Sequence, residues 1–182
     1  SVGDNFQKYP GLRFSKTRHE QLTALRVETG GLNRDAVRDI CGSDWPGLEY
    51  LELWFGDEWY GSSSQLDDVM PLLSGEALPQ LKYLGLRNCE YADEMAIALS
   101  KCTPHPSLIE LDFSMGTLTN TGLESLLNSE ILNNLDTLNI SQCYVSDELI
   151  SRLPALGCEV VTLPARDAYW SKSQKRYCCV RE

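Results

Sequence analysis

Five stretches of this 182-residue chain obey one pattern, Leu-x-x-Leu-x-apolar-x-x-Cys/Gly, at 22–30, 48–56, 81–89, 108–116 and 135–143. Their first leucines, Leu22, Leu48, Leu81, Leu108 and Leu135, stand 26, 33, 27 and 27 residues apart. Each unit is too short to bury its own apolar face, so units of this period must stack on one another. The pattern predicts an α/β solenoid, right-handed, with a curved parallel sheet inside and helices outside.

Side chains alternate across a strand, which predicts that the apolar residues at positions four and six of each stretch face a core. Positions three, five and seven then form rows on the opposite, concave face. Row three is Ala24, Tyr50, Tyr83, Glu110 and Thr137; row five is Arg26, Glu52, Gly85, Asp112 and Asn139. Row seven is Glu28, Trp54, Arg87, Ser114 and Ser141. Tyr50 is thereby expected beside Tyr83, and Trp54 beside Arg87, where a guanidinium can lie over the indole face. Gly85 is expected to leave a shallow depression flanked by Glu52 and Asp112. Phe55, Asn88 and Met115, at position eight, are expected on the rim of the same face.

Helices are predicted in the intervals. Ala36, Val37 and Ile40 mark one apolar face, and Met95, Ala98, Leu99 and Cys102 another; Leu123, Leu126 and Leu127 mark a third and Ile150 and Leu153 a fourth. Thr119 and Ser146 are expected N-caps, with Asp147 and Glu148 in the first turn, where the helix dipole favours negative charge. The second interval is about six residues overlong. The excess falls in 55–65, a Gly- and Ser-rich loop carrying Trp59 and Tyr60. Those two aromatics either fold back on the neighbouring unit or project as a contact, since insertions in such stacks gather on one face. Residues 1–21 are expected to cap one end, or to be the remnant of a longer chain beginning before Ser1. Val160 to Leu163 read as an irregular last strand, and 164–182 as the other cap.

The formal charge of −10 is uneven. Between Cys41 and Ala165 four basic residues face 19 acidic ones, a net of −15. Such a body repels phosphate backbones and attracts basic protein surfaces, besides keeping the chain soluble. Seven cysteines, an odd number without a secretory segment, argue for a reducing, cytoplasmic setting over a disulfide framework. No apolar run approaches the roughly 18 residues that would span a bilayer.

No cofactor, metal or catalytic group is expected. The two histidines, His19 and His105, lack ligand spacing, and no Gly-rich phosphate loop is present. Asp67-Asp68 reads as the start of a helix in preference to a site for a hard cation, and Cys178-Cys179 as a weak candidate for redox chemistry.

With the Leu81–Cys89 and Leu135–Cys143 blocks, and the Thr119-to-Leu123 and Ser146-to-Leu149 segments that follow strands, residues 22–163 resemble the ribonuclease-inhibitor-like subclass of leucine-rich repeats. Leu-Lys-Tyr-Leu-Gly-Leu-Arg-Asn at 81–88 and the closing Arg-Tyr-Cys-Cys-Val-Arg-Glu further resemble an uncharacterised family of bacterial leucine-rich-repeat proteins. The departures are Gly in place of Asn or Cys at Gly30, Gly56 and Gly116, and the overlong second unit. The resemblance implies recognition of a protein by the concave face; it does not imply a partner.

The expected function is therefore that of a non-catalytic protein-binding module, with no assigned oligomeric state. Its candidate contacts are Tyr50, Glu52, Trp54, Phe55, Trp59, Tyr60, Tyr83, Arg87, Glu110 and Asp112, since Tyr, Trp and Arg dominate interface hot spots. The alternative is a regulatory or substrate-recognition domain of an enzyme located upstream or in another polypeptide. On this reading Trp54→Ala with Arg87→Glu should spare the fold and abolish capture of the partner.

Overall fold

A computed structural model describes residues 12–153, 157–164 and Cys178. The chain alternates strand and helix: β1 (Ala24–Val27), α1 (Arg34–Cys41), β2 (Tyr50–Gly56), α2 (Leu66–Leu73), β3 (Tyr83–Cys89), α3 (Ala92–Leu99), β4 (Glu110–Asp112), α4 (Asn120–Leu127), β5 (Thr137–Asn139), α5 (Asp147–Ile150) and β6 (Glu159–Val161). Short 3-10 turns, Glu58–Tyr60 and Ile131–Asn134, precede α2 and β5. Among the described residues the six strands form one parallel sheet in chain order, β1 to β6, so each strand neighbours its predecessor. The register pairs equivalent positions: Ala24 with Tyr50, Tyr50 with Tyr83, Tyr83 with Glu110, Glu110 with Thr137, and Thr137 with Glu159.

The core lies between the sheet and the helices. Leu51, Leu84, Leu111 and Leu138 at position four, and Leu53, Leu86, Phe113 and Ile140 at position six, are all buried. They pack with Ala36, Val37, Ile40, Val69, Leu72, Met95, Leu99, Leu123 and Leu126 from the helices. Each fully buried side chain of this size contributes about 1.5–3 kcal/mol. In α5 the buried residue is Leu149, with Leu153 buried just beyond the helix end, while Ile150 is half-buried.

The caps are local. Asn33 accepts from the Ala36 N–H, Thr119 from Thr121, and Ser146 from Leu149. Asp67 and Asp68 lie in the first turn of α2, where Asp68 accepts from the Gln65 N–H at 3.0 Å. Asp68 also receives Arg38 at 2.6 Å and Arg34 at 3.4 Å, tying α1 to α2, so its carboxylate is occupied. Phe14 packs on the first unit, whereas Leu12 is exposed. Cys178 is buried against the Gly56 carbonyl at 3.8 Å. Of the two expected caps, residues 1–11, 165–177 and 179–182 lie outside the described residues.

Three non-glycine residues have positive φ: Asn88 (52°), Met115 (68°) and Gln142 (59°). They are 27 residues apart and share position eight. Each donates its N–H across to the next turn, to Ser114 O, Ser141 O and Leu163 O. The left-handed kink thus aims one strand's exit at the next, against a cost of roughly 1–2 kcal/mol per non-glycine residue. In the second stretch the kink moves one residue along, to Gly56 (φ 72°), where an added Cβ would lie 1.7 Å from the Gly30 carbonyl oxygen. That shift turns Phe55 inward.

His105 lies between α3 and β4. It is 4% exposed, with both ring nitrogens lacking a hydrogen-bond partner, and it packs against Gly75.

Met115→Ile, which puts a β-branched side chain at positive φ, should lower stability to urea by about 1–2 kcal/mol, while Met115→Gly should cost less. Equal losses would show that the backbone kink is not what Met115 supplies. Burial pushes the His105 imidazole below its ordinary value of 6.5. The unfolded chain then binds the extra proton, so stability is full above that value and falls as pH drops from it toward the folded-state value. Urea midpoints measured from pH 7.5 to 5.5 should decline more steeply in the wild type than in His105→Leu; parallel curves would contradict this.

Candidate functional site

On the sheet face opposite the core, polar and aromatic side chains converge on one carboxylate. Glu52, in the middle of β2, is 2% exposed. Its Oε2 accepts from the Tyr50 hydroxyl at 2.5 Å, and its Oε1 from Trp54 Nε1 at 2.6 Å. Two guanidiniums reach the same Oε1, Arg26 from β1 at 2.9 Å and Arg87 from β3 at 3.1 Å. The Trp54 indole lies between those cations, with Arg87 4.7 Å and Arg26 5.7 Å from its ring centre. Tyr50 and Tyr83 stack at 4.2 Å with an interplanar angle of 8°.

A second carboxylate, Asp112 on β4, is 4% exposed. Its Oδ2 accepts from the Tyr83 hydroxyl and from Asn139 Nδ2, both at 3.0 Å, and its Oδ1 accepts from the Ser114 N–H at 2.7 Å. The Tyr83 hydroxyl also lies 3.3 Å from Glu52 Oε2, so it bridges the two carboxylates. Gly85 is what allows this, because a Cβ there would come within 3.0 Å of the Tyr83 ring, its hydroxyl and Glu52 Cγ. The depression expected at Gly85 is thus filled by the molecule's own tyrosine.

The ionisation follows from these contacts. Burial alone would raise the Glu52 carboxyl, but the hydrogen bonds from Tyr50 and Trp54 and the charges of Arg87 and Arg26 outweigh it and hold the group below its ordinary value. The Tyr83 phenol is pushed far upward, first by burial and then by the Asp112 and Glu52 charges, so it stays a donor. Elsewhere burial, with the Asp68 charge, raises the Cys41 thiol to about 12, and burial raises the Cys89 thiol well upward, which disfavours their thiolates. Among the described residues no three His, Cys, Asp or Glu side chains are grouped to hold a metal ion. A shallow pocket of about 480 Å³ lies between α1 and α2, lined by Lys16, Arg38, Cys41 and Asp68 among others. The charges of Arg38 and Asp68 there are spent on each other.

The structure brings Tyr50, Glu52, Trp54, Tyr83, Arg87 and Asp112 together, in the rows expected of them. It does not leave them all available. Trp54 is 6% exposed, and Glu52 and Asp112 are buried, because each is covered by the side chains of its neighbours. Phe55 is a correction to the expected contact set: it is fully buried in the core, edge-on to Tyr91 at 5.8 Å, and cannot meet a partner. Asn88, expected on the rim, is also buried. Glu110 is exposed, Tyr50, Tyr83 and Arg87 are half-buried, and Trp59 and Tyr60 are exposed on the turn after β2. The part played by Arg26 was missed; its place in row five, one strand before Glu52, was the signal.

The chain is similar to a Bacteroides fragilis protein of known crystal structure, with a TM-score of 0.75 and 30% sequence identity over 91% of this chain and 46% of that one. It therefore spans less than half the length of that neighbour. No protein-family model and no curated protein matches the chain. Among the described residues no helix is long and apolar enough to cross a membrane.

Burial reverses the expectation for Trp54→Ala with Arg87→Glu. Arg87→Glu would set a third carboxylate against Glu52 and Asp112 in place of their cation, and should cost about 3–5 kcal/mol. Gly85→Ala should cost about 1–3 kcal/mol by displacing Tyr83. Chemical denaturation checks both; wild-type stability in either variant would mean that the cluster does not hold the sheet.

Proposed function

We propose that the chain is a right-handed leucine-rich-repeat solenoid that acts as a non-catalytic protein-binding module through the concave face of its sheet. The spacing of the Asn88, Met115 and Gln142 kinks and the stacking of each strand on its predecessor support the repeat reading. The observation that carries the binding reading is the Tyr50–Tyr83 stack. It lies half-exposed on the sheet face away from the core and is held rigid by hydrogen bonds to Glu52 and Asp112. A preorganised aromatic surface loses little side-chain entropy when a partner docks on it. Glu110 and Glu159, exposed along the same row, extend that surface with negative charge.

A second reading is a recognition domain serving an enzyme. It is favoured by one observation, that the Bacteroides fragilis neighbour extends well beyond the part this chain matches.

The test leaves the buried cluster alone and alters only its exposed border. Cross-linked pull-down from the native cell, read by mass spectrometry, should enrich a protein with the wild type and lose it with Glu110→Arg, Glu159→Arg. Enrichment of nothing beyond a scrambled bait would end the protein-binding reading. Equal enrichment by both baits would move the interface off this face.

A further inference from the structure

The 3-10 turn after β2 presents the most exposed large apolar side chain among the described residues. Trp59 is 89% exposed, and the adjacent Tyr60 43%. This is not a loose loop tip. The Asp57 carboxylate accepts the Trp59 N–H at 2.8 Å, and the Asp57 carbonyl accepts from Tyr60 and Ser62. Ser63 donates to the Leu32 carbonyl, and Gly31 lies so close to the Tyr60 carbonyl oxygen that a Cβ there would meet it at 2.2 Å. A turn fixed at so many points holds an indole in water at a standing cost, because nothing in the fold is gained by exposing it.

The surroundings are acidic. The Glu58 N–H donates to Glu90 Oε2 at 3.3 Å, which brings the Glu90 carboxylate to the base of the turn that carries Glu58. Both residues are exposed. Arg34, whose N–H donates to Ser63 Oγ of the same loop at 3.1 Å, turns its guanidinium to Asp68. The floor of the sheet shows what completes such a set. There an indole, Trp54, and a carboxylate, Glu52, are satisfied by the guanidiniums of Arg87 and Arg26. At the Trp59 turn the indole and the carboxylates are present, and among the described residues no cation lies over the Trp59 ring and none pairs with Glu58 or Glu90.

We infer that the Trp59 turn docks an arginine-bearing segment of a protein partner, with guanidinium over the indole and its charge met by Glu58 and Glu90. This rests on the protein-binding reading, and it adds a second contact and the chemistry of what that contact takes.

Hexa-arginine amide, titrated at physiological salt, is the probe. The Trp59 indole N–H resonance, identified by its disappearance in Trp59→Ser, should shift on titration. Affinity should fall at least tenfold in Trp59→Ser and also in Glu58→Gln, Glu90→Gln. All three positions are exposed, so thermal melts should match the wild type. Equal affinity in Trp59→Ser would overturn the inference, leaving only diffuse attraction to an acidic surface. So would equal binding of hexa-glutamine, or self-association that Trp59→Ser abolishes, which would make a second copy the occupant. If the peptide ignores Trp59 while Glu110→Arg, Glu159→Arg still loses its partner, this inference fails and the protein-binding reading stands. If the peptide needs Trp59 but no protein is captured by any bait, the reverse holds.

Discussion

A parallel sheet laid down in chain order sets every residue beside its equivalent one unit away, and the rest of this molecule answers to that constraint. Leucine beside leucine builds a continuous core, which is favourable however many strands are added. On the other face the same rule is dangerous, because a carboxylate repeated at one position becomes a column of like charge. Row five shows the solution. Arg26 stands before Glu52, Gly85 separates Glu52 from Asp112, and Asn139 follows, donating to Asp112. Charge alternates with something that offsets it, and the one vacant position admits the Tyr83 hydroxyl between the two acids.

Burying two carboxylates is expensive unless each lone pair finds a donor, and here the donors come from four strands. Such a cluster adds less net stability than its number of bonds suggests, since desolvation offsets much of the attraction. What it does enforce is register. A slip of one residue would take the leucines out of the core and break the Glu52 contacts at once, so the polar face and the apolar face specify the same pairing.

The strand positions were legible in the sequence because two periodicities agree there: alternation within a strand and recurrence between strands. The caps Thr119 and Ser146 were legible because their chemistry is local. What the sequence did not disclose was occupancy. Row assignments place Trp54 and Glu52 on the open face, but whether such a side chain is covered depends on how Arg87, Tyr50 and Tyr83 lie across it, and that is a property of neighbouring strands. Phe55 failed for a different reason. The strand β2 runs on to Gly56, so alternation carries Phe55 to the core side with Leu51 and Leu53, and the chain turns only at Gly56, against which Gly30 and Gly31 lie. The overlong loop after it is the same irregularity seen from the sequence side.

That irregularity ties the two candidate surfaces together. Moving the kink to Gly56 carries Phe55 into the core and starts the extra turn at Asp57, whose buried carboxylate then caps Trp59. A unit of regular length would have had neither the inserted turn nor the residue that fixes it. The aromatic cluster on the sheet is satisfied from within, and its charges have little left to offer a partner. The Trp59 turn is the opposite case, equally well anchored in its backbone and uncovered in its side chain. Rigid backbone with an unspent side chain is the condition under which binding costs least in entropy. On that physical ground the insertion, more than the floor of the sheet, is where specificity can be added to this fold without disturbing what holds it together.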